Sequence, residues 1–474
     1  MELPFFRNHQ IVAVVDYSWG DNGKGKLVDL LCEEADLNIR GTGGANAGHT
    51  VNINGKEYIT HLLPAGIIHA ITNIMGRGMV IKDDLLIKET KELEAQGIPV
   101  TNRLIISKDA YLTTEFNLEQ EKFLDNLLSI GTTQKAIGPT YAAKVNRFGI
   151  LMGDLFDTDL VAHKVKTQGT IVGATSDEIS TETERILENS KFYKDLIRPT
   201  DDIVRRHFEK GDNIVLEGAQ GTLLDLEFGT YPMATSSVCS IRGLTLGCDM
   251  PPEADQKMYT LGVVKAYQTR VGNGPFPTEY GGQKSEKHCD EKHENGDTRW
   301  VQDAEIREYG NPLDFINSTD PFMRAMALRH KGGEFGATTK RPRRTGPFDS
   351  VATKYAMSKN SPNLAVMKLD VLDGVNEIDL ATRYKWNFTG DTPYGSVKEG
   401  QIVTSFPREA HWLSKIKPAY EHMPGWSTST RGATSIESLP DEARDYVNKI
   451  AESTGGNVVL VSTGPERNET IIMP

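Results

Sequence analysis

The sequence predicts an α/β domain, a single large one with a mostly parallel central sheet flanked by helices. Three observations carry that expectation. Residues 11–16 (IVAVVD) form a β-branched run that passes through a glycine-rich turn into a helical pattern, which reads as strand, loop, helix. Helical and strand patterns then alternate to the far end of the 474 residues. No internal repeat or low-complexity linker interrupts them, so 1–474 reads as one domain.

In order, the first helical pattern covers 27–34. Residues 83–97 form an amphipathic helix with Leu85, Leu86 and Leu93 on one side and Gly97 as its stop. A short strand at 104–107 and a helix at 115–128 follow. Residues 176–210 are charged and helical in pattern, a peripheral layer. Further strands are expected at 213–216, 260–267, 364–369 and 457–461. Residues 281–332 stand apart, rich in charge, His and Gly, and read as a surface insertion whose one clear helical piece is 321–330.

Composition narrows the function classes. A formal net charge of −12 argues against nucleic acid or an acidic membrane surface as the main partner. Anions can then be bound only by local clusters of Lys, Arg and backbone N–H groups. Four scattered cysteines with no C-x-x-C pair indicate neither a disulfide framework nor a zinc ribbon. No apolar run approaches the ~20 residues of a membrane span, and the short polar start has no signal-peptide pattern, so a cytoplasmic location is expected.

Two glycine-rich loops carry the chemistry. Gly20-Asp21-Asn22-Gly23-Lys24-Gly25-Lys26 follows a strand and opens a helix, and it fits G-x-x-x-x-G-K. Glycines let the backbone approach a phosphate, and helix N-terminal N–H groups with two lysines favour the anion. Leu27 stands where Ser or Thr would bind magnesium, which makes Asp21 the candidate metal ligand. Alone, the segment fits a plain turn with solvated lysines equally well. The second loop, Gly43-Gly44-Ala45-Asn46-Ala47-Gly48-His49-Thr50, sets one Asn, one His and one Thr among small residues, the composition of a close ligand approach. His288, Cys289 and His293 are too few for a closed zinc site and read as a solvated loop.

Taken together, WGDNGKGKLVDLL and GGANAGHT resemble the opening signatures of adenylosuccinate synthetases. The resemblance continues through GTTQKAIGPTY (131–141), GDLFD (153–157), EGAQGTLLD (217–225) and GTYPMATSS (229–237). KAYQTRVGNGPFPTE (265–279), EFGATTKRPRRTG (334–346), KLDVLDG (368–374) and STGPERNET (462–470) follow in the family's order. These blocks cover nearly the whole chain outside 281–332.

The resemblance implies a ligase that replaces the 6-oxygen of IMP by the amino group of L-aspartate, using GTP and Mg2+. It implies Asp21 as general base and magnesium ligand, the latter with the Gly48 carbonyl, and His49 as general acid. Lys24 and Gln220 complete the catalytic set, with Lys24 and Lys26 holding anions. The implied GTP site takes in Gly20, Asp21, Asn22, Gly23, Lys24, Gly25, Lys26, Gly48, His49, Thr50, Arg343, Lys368, Leu369, Asp370, Ser462, Thr463 and Gly464. Asp370 would read guanine, since a carboxylate can accept both N1–H and N2–H. The implied IMP contacts are the loop residues Asp21, Asn22, Gly23 and Lys24, then Asn46, Ala47, Gly48, His49, Thr133, Gln220, Thr235 and Arg341. Arg147 would reach the nucleotide of a neighbouring subunit, making the active unit a homodimer. Ala337, Thr338, Thr339, Lys340, Arg341, Pro342 and Arg343 correspond to the aspartate-binding loop, where arginines suit a dicarboxylate.

Five departures from the usual pattern bear on the acceptor. Asn22 replaces Glu, Lys340 replaces Gly, and Gln134-Lys135-Ala136 replaces Gly-Arg-Gly. Residues 238–243 (VCSIRG) lack Asn-Thr-Thr-Ala-Gly-Gly, and Asp16-Tyr17-Ser18 differs from Gly-Thr-Gln. Lys340 disfavours the positive φ open to a glycine. The alternative reading is a specialised paralogue joining aspartate to another 6-oxopurine nucleotide, deoxy or 2-amino. A GTP-binding protein without catalysis is a third, against which Asp21 and His49 speak.

Overall fold

All six residues of the first strand, β1 (Ile11–Asp16), are buried, and a strand buried on both faces calls for helices on both sides of a parallel sheet. The computed structural model describes residues 3–53, 56–128, 130–294, 296–336 and 340–473 and shows that arrangement. The remaining strands of the main sheet are β2 (Leu37–Arg40), β3 (Thr72–Met75), β4 (Leu104–Ser107), β5 (Ile197–Arg198) and β6 (Ile214–Glu217). They continue with β7 (Met258–Lys265), β8 (Asn363–Met367), β9 (Asn457–Ser462) and β10 (Thr470–Ile472). The ten lie in the order β5-β4-β3-β2-β6-β1-β7-β8-β9-β10. Every neighbouring pair is parallel except β9 with β10.

That order places the site. From β1 the chain moves outward through β2 to β5, returns to insert β6 between β2 and β1, then grows the other way. Loops leaving β1, β6 and β7 therefore diverge at one point, where open parallel sheets bind ligands outside the carboxyl ends of their strands. The glycine loop 17–23 leaves β1 there, and Gly20 (φ 84°), Asp21 (φ 63°) and Gly23 (φ 94°) are all left-handed. Asp tolerates that region better than most residues with a Cβ.

Most anticipated elements lie within a few residues of their observed bounds. The first anticipated helix is Lys24–Leu31, three residues earlier than the apolar pattern suggests, so both loop lysines sit in its first turn. Residues 176–210 are two helices, Ser176–Tyr193 and Asp201–Lys210, with the edge strand β5 between them. A separate antiparallel pair, Glu377–Trp386 with Ile416–Pro424, had no clear signal.

Residues 281–332 correct the expectation of a solvated segment with one helix. Among the described residues they hold three helices, Gly282–Asp290, Gln302–Tyr309 and Pro321–Gly332. His288 and Cys289 are buried, and only His293 of that trio is exposed. The organising group is Glu305, fully buried, whose carboxylate meets Arg329, His288 Nε2 at 2.7 Å and His330 Nε2 at 2.7 Å. Charges buried in one cluster satisfy each other, so a polar composition packs. His288 also stacks on Trp300, with ring centroids 4.5 Å apart. All four cysteines are buried free thiols. Among the described residues no helix is long and apolar enough to cross a membrane.

Candidate active site

Four neighbouring strands end in ionisable residues, and their pairing builds the site. In sheet order these are Arg40 on β2, Glu217 on β6, Asp16 on β1 and Lys265 on β7, each at most 1% exposed. None was assigned to the site from the sequence, where Asp16 stood out only as a departure, because a charge closing an apolar run reads as an exposed strand end.

Arg40 donates to the carbonyls of His61 (2.8 Å), Leu62 (3.0 Å) and Gly44 (2.9 Å), and so fixes the second glycine loop. Glu217 receives Asn38 Nδ2 at 3.1 Å and the Ala65 amide at 2.8 Å on Oε2, while Oε1 lies 2.7 Å from His49 Nδ1. The carboxylate thus selects the Nδ1–H form of His49 and leaves Nε2 for a ligand. Burial pulls the His49 pKa below its ordinary value, aided by Arg40 and Lys24 and opposed by Glu217. The resting imidazole is therefore neutral at pH 7, and an arriving polyanion favours its protonated form. Asn46 Oδ1 accepts the Gly44 amide at 3.1 Å, and the Ala47 carbonyl lies 3.0 Å from His61 Nδ1. Gly48 precedes the strand His49–Ile53, in which the side chain of Thr50 lies outside those described.

Lys24 is 4% exposed and donates to Asp16 Oδ2 (3.0 Å) and the Gln220 carbonyl (2.6 Å). Gln220 adopts φ 53°, and its buried Nε2 has no partner among the described residues. Gly43 takes φ 73°, and a Cβ there would meet Ala219 Cβ at 2.8 Å, so the position favours glycine. Lys26 is held by the protein itself. Its ammonium donates to Ser462 Oγ (2.8 Å) and to the carbonyls of Gly464 (2.7 Å) and Glu469 (2.9 Å), so it ties the phosphate loop to 462–464. Burial lowers its pKa to about 8.

On the other side, Lys265 pairs with Glu334 at 2.8 Å and donates to Thr269 Oγ1 at 2.9 Å. Glu334 also accepts from Lys368 (2.8 Å), Arg343 (2.9 Å) and the Tyr267 hydroxyl (2.5 Å). Burial alone would raise this carboxyl; Lys265, Lys368 and Arg343 hold it well below the carboxylate range. Arg343 carries the chain of charges onward through an ion pair with Asp21. One buried carboxylate therefore joins Arg343 of the expected aspartate loop, the Lys368-Leu369-Asp370 segment and, through Arg343, the glycine loop 17–23. Asp370 is half-buried, and burial raises its pKa. Thr463 is buried and donates its hydroxyl to the Ala433 carbonyl at 2.9 Å.

Of the expected aspartate loop, Ala337, Thr338 and Thr339 lie outside the described residues. Its ends are held together, with Phe335 bridged to Pro342 and the Arg343 amide on the Glu334 carbonyl at 2.9 Å. Arg341 pairs with Asp290 and donates to Asn273 Oδ1 (3.1 Å) and the Cys289 carbonyl (3.1 Å), so 281–332 packs against this loop. Lys340 takes φ 55° despite its side chain, correcting the expectation drawn from its size. Gln134 (φ 52°) and Ala136 (φ 58°) behave likewise. At three positions usually occupied by glycine in the resemblance, the left-handed backbone is kept at a cost of about 1–2 kcal/mol each. Thr133 and Arg147 are exposed, and Thr235 is half-buried with its amide on the Leu224 carbonyl at 2.8 Å. In 238–243, the Cys239 and Ser240 amides donate to Asp225 Oδ2 at 2.5 and 2.8 Å.

A glycine loop at the switch point of a parallel sheet, ringed by buried ion pairs, defines an α/β enzyme of the nucleotide-binding kind. The particular family follows from comparison. The adenylosuccinate synthetase family model matches residues 13–471. Adenylosuccinate synthetase of Vibrio vulnificus is 39% identical over 97% of this chain and 98% of its own length. That of Aquifex aeolicus is 37% identical over 97% and 96%. A fully ligated adenylosuccinate synthetase from Plasmodium falciparum superposes with a TM-score of 0.80 at 28% identity, covering 98% of this chain and all of that one. The chain belongs to the adenylosuccinate synthetase family of ligases.

Asp21 gives a pH prediction. Burial pulls its pKa up, but Arg343, Lys265 and Lys368 together outweigh that and hold it below the ordinary value. A carboxylate depressed in this way keeps working above its folded pKa and is lost as pH falls through it. Arg343→Ala removes the strongest opposing charge, so if Asp21 is the general base that the resemblance implies, the acid limb of the pH–rate profile should move to higher pH. An unmoved limb would show that Arg343 does not set the ionisation of Asp21.

Proposed function

We propose that the chain joins L-aspartate to IMP in purine biosynthesis, consuming GTP and giving adenylosuccinate, GDP and phosphate through 6-phosphoryl-IMP. The observation that carries this reading is the reach of Glu334. Segments assigned by resemblance to the general base, to aspartate and to guanine are linked through one buried carboxylate.

Each side chain has a task on this reading. Asp21 takes the N1 proton of IMP, which raises electron density on O6. The buried, unpartnered Nε2 of Gln220 is suited to donate to that oxygen as phosphate is transferred to it. Lys24 and His49 Nε2 stabilise charge on the phosphoryl group, work that dominates phosphoryl transfer. Arg341 and Arg343 receive the aspartate carboxylates, whose amine then attacks C6 and expels phosphate. Asp370 accepts from guanine, with Ser462, Thr463 and Gly464 beside the base.

The residues fit magnesium by their donor chemistry. Leu27, 1% exposed, offers no hydroxyl, whereas Asp21 keeps 34% of its side chain open and supplies the hard oxygen that Mg2+ prefers. With the Gly48 carbonyl as second ligand, the ion would neutralise phosphate oxygens.

We further propose one domain over 1–474 with 281–332 as a surface insertion, a cytoplasmic location, and a homodimer. The dimer is supported by exposed Phe123, Leu127, Leu128 and Val145, apolar side chains on two helices in contact, Glu115–Leu128 and Ile137–Val145, the second of which ends two residues before Arg147. Sedimentation at micromolar concentration should give twice the chain mass, and a monomer would overturn the dimer. The substrate reading is tested by offering IMP, dIMP, GMP and dGMP separately with GTP, Mg2+ and aspartate, and weighing the products. IMP should be converted fastest. Faster conversion of another acceptor makes the chain the specialised paralogue, and no product from any acceptor makes it a non-catalytic homologue.

A further inference from the structure

Asp16 closes an otherwise apolar strand and is 1% exposed, yet its carboxylate collects four donors. Oδ1 accepts the Ser18 amide (2.9 Å) and Asn22 Nδ2 (2.8 Å); Oδ2 accepts the Asn22 amide (3.2 Å) and Lys24 Nζ (3.0 Å). The surroundings are built around it, since a Cβ on Gly221 would meet Asp16 Oδ1 at 2.7 Å and the Ser18 carbonyl at 2.3 Å. Among the described residues, Asp16 and the Gln220 carbonyl take two of the three Lys24 protons, leaving one for a ligand.

Asn22 is fully buried, and its Oδ1 has no partner among the described residues. Being neutral, Asn22 cannot balance the lysine two residues on. The carboxylate that does so comes from the strand end, six residues before Asn22. Two departures from the usual pattern, Asp16 and Asn22, are thus in direct contact, and the carboxylate of the pair sits on the strand rather than in the loop.

We propose that Asp16 is a positioning residue for phosphoryl transfer, holding the Lys24 ammonium at the phosphate loop in the place that a carboxylate at position 22 would otherwise serve. Asp16 touches no substrate; it acts through Lys24. A lysine tethered on two sides presents its third proton in a set direction, which is worth most when charge develops on the phosphoryl group. The inference rests on the ligase reading for its kinetics but not for its geometry.

Two readouts keep the claims separate. Competitive acetylation of the whole protein, read by peptide mass spectrometry, should show Lys24 protected in the wild type and several-fold faster to react in Asp16→Asn. In the assay with GTP, Mg2+, IMP and aspartate, Asp16→Asn should lose about 100-fold in kcat, the scale of one misplaced electrostatic donor. The KM for aspartate should change far less, because the contact matters mainly in the transition state. The double variant Asp16→Asn/Asn22→Asp returns a carboxylate to the loop, and should regain at least a tenth of wild-type kcat and the Lys24 protection. Unchanged acetylation in Asp16→Asn, or a double variant no better than the single one, overturns the proposal. A wild type that makes no adenylosuccinate overturns the ligase reading, and the acetylation pattern then decides Asp16 on its own.

Discussion

A charge buried at the end of a strand has to be paired, and much of this structure follows from four such charges set side by side. Leaving one unpaired costs several kcal/mol, a large part of the stability of most proteins. Each of Arg40, Glu217, Asp16 and Lys265 therefore dictates where a loop goes. Arg40 gathers the carbonyls of 61–62 and Gly44. Glu217 holds His49, Asp16 holds Lys24, and Lys265 holds Glu334. The strand order brings these ends together at one switch point, so fold stability and site geometry depend on the same contacts.

Such an arrangement suits phosphoryl transfer, in which little covalent work is asked of the protein and much electrostatic work is. The charges are fixed before a ligand arrives, so the transition state need not reorganise them. Two groups are displaced in ways that serve this. Asp21 stays ionised because three cations outweigh its burial, and His49 rests neutral because burial outweighs its carboxylate partner.

The glycine loops were legible in the sequence because their signal is local: glycines, lysines and one acid at fixed spacing between a strand and a helix. The strands were legible where apolar residues cluster, as in β1, and missed where a polar residue interrupts a four-residue run, as Asn38 does in β2 and Asn73 in β3. What the sequence hid was pairing across distance. Glu334 is 69 residues from Lys265 and Glu217 is 168 from His49, and although each lies in a block of the resemblance, nothing in those blocks says that they meet. Residues 281–332 misled for the same reason, since charged and histidine-rich composition looks solvated until Glu305, Arg329 and two histidines are seen to satisfy one another. Side-chain size misled at Lys340, where the left-handed backbone outlasts the glycine that usually permits it, as it also does at Gln134 and Ala136.

The central claim is that this site phosphorylates the 6-oxygen of IMP before aspartate attacks. Isotope transfer tests it most directly: IMP carrying 18O at position 6, incubated with the protein, GTP, Mg2+ and aspartate, followed by mass analysis of the released phosphate. The account predicts one 18O in each phosphate formed, matching adenylosuccinate mole for mole. Phosphate without the label, released alongside adenylosuccinate, would contradict it.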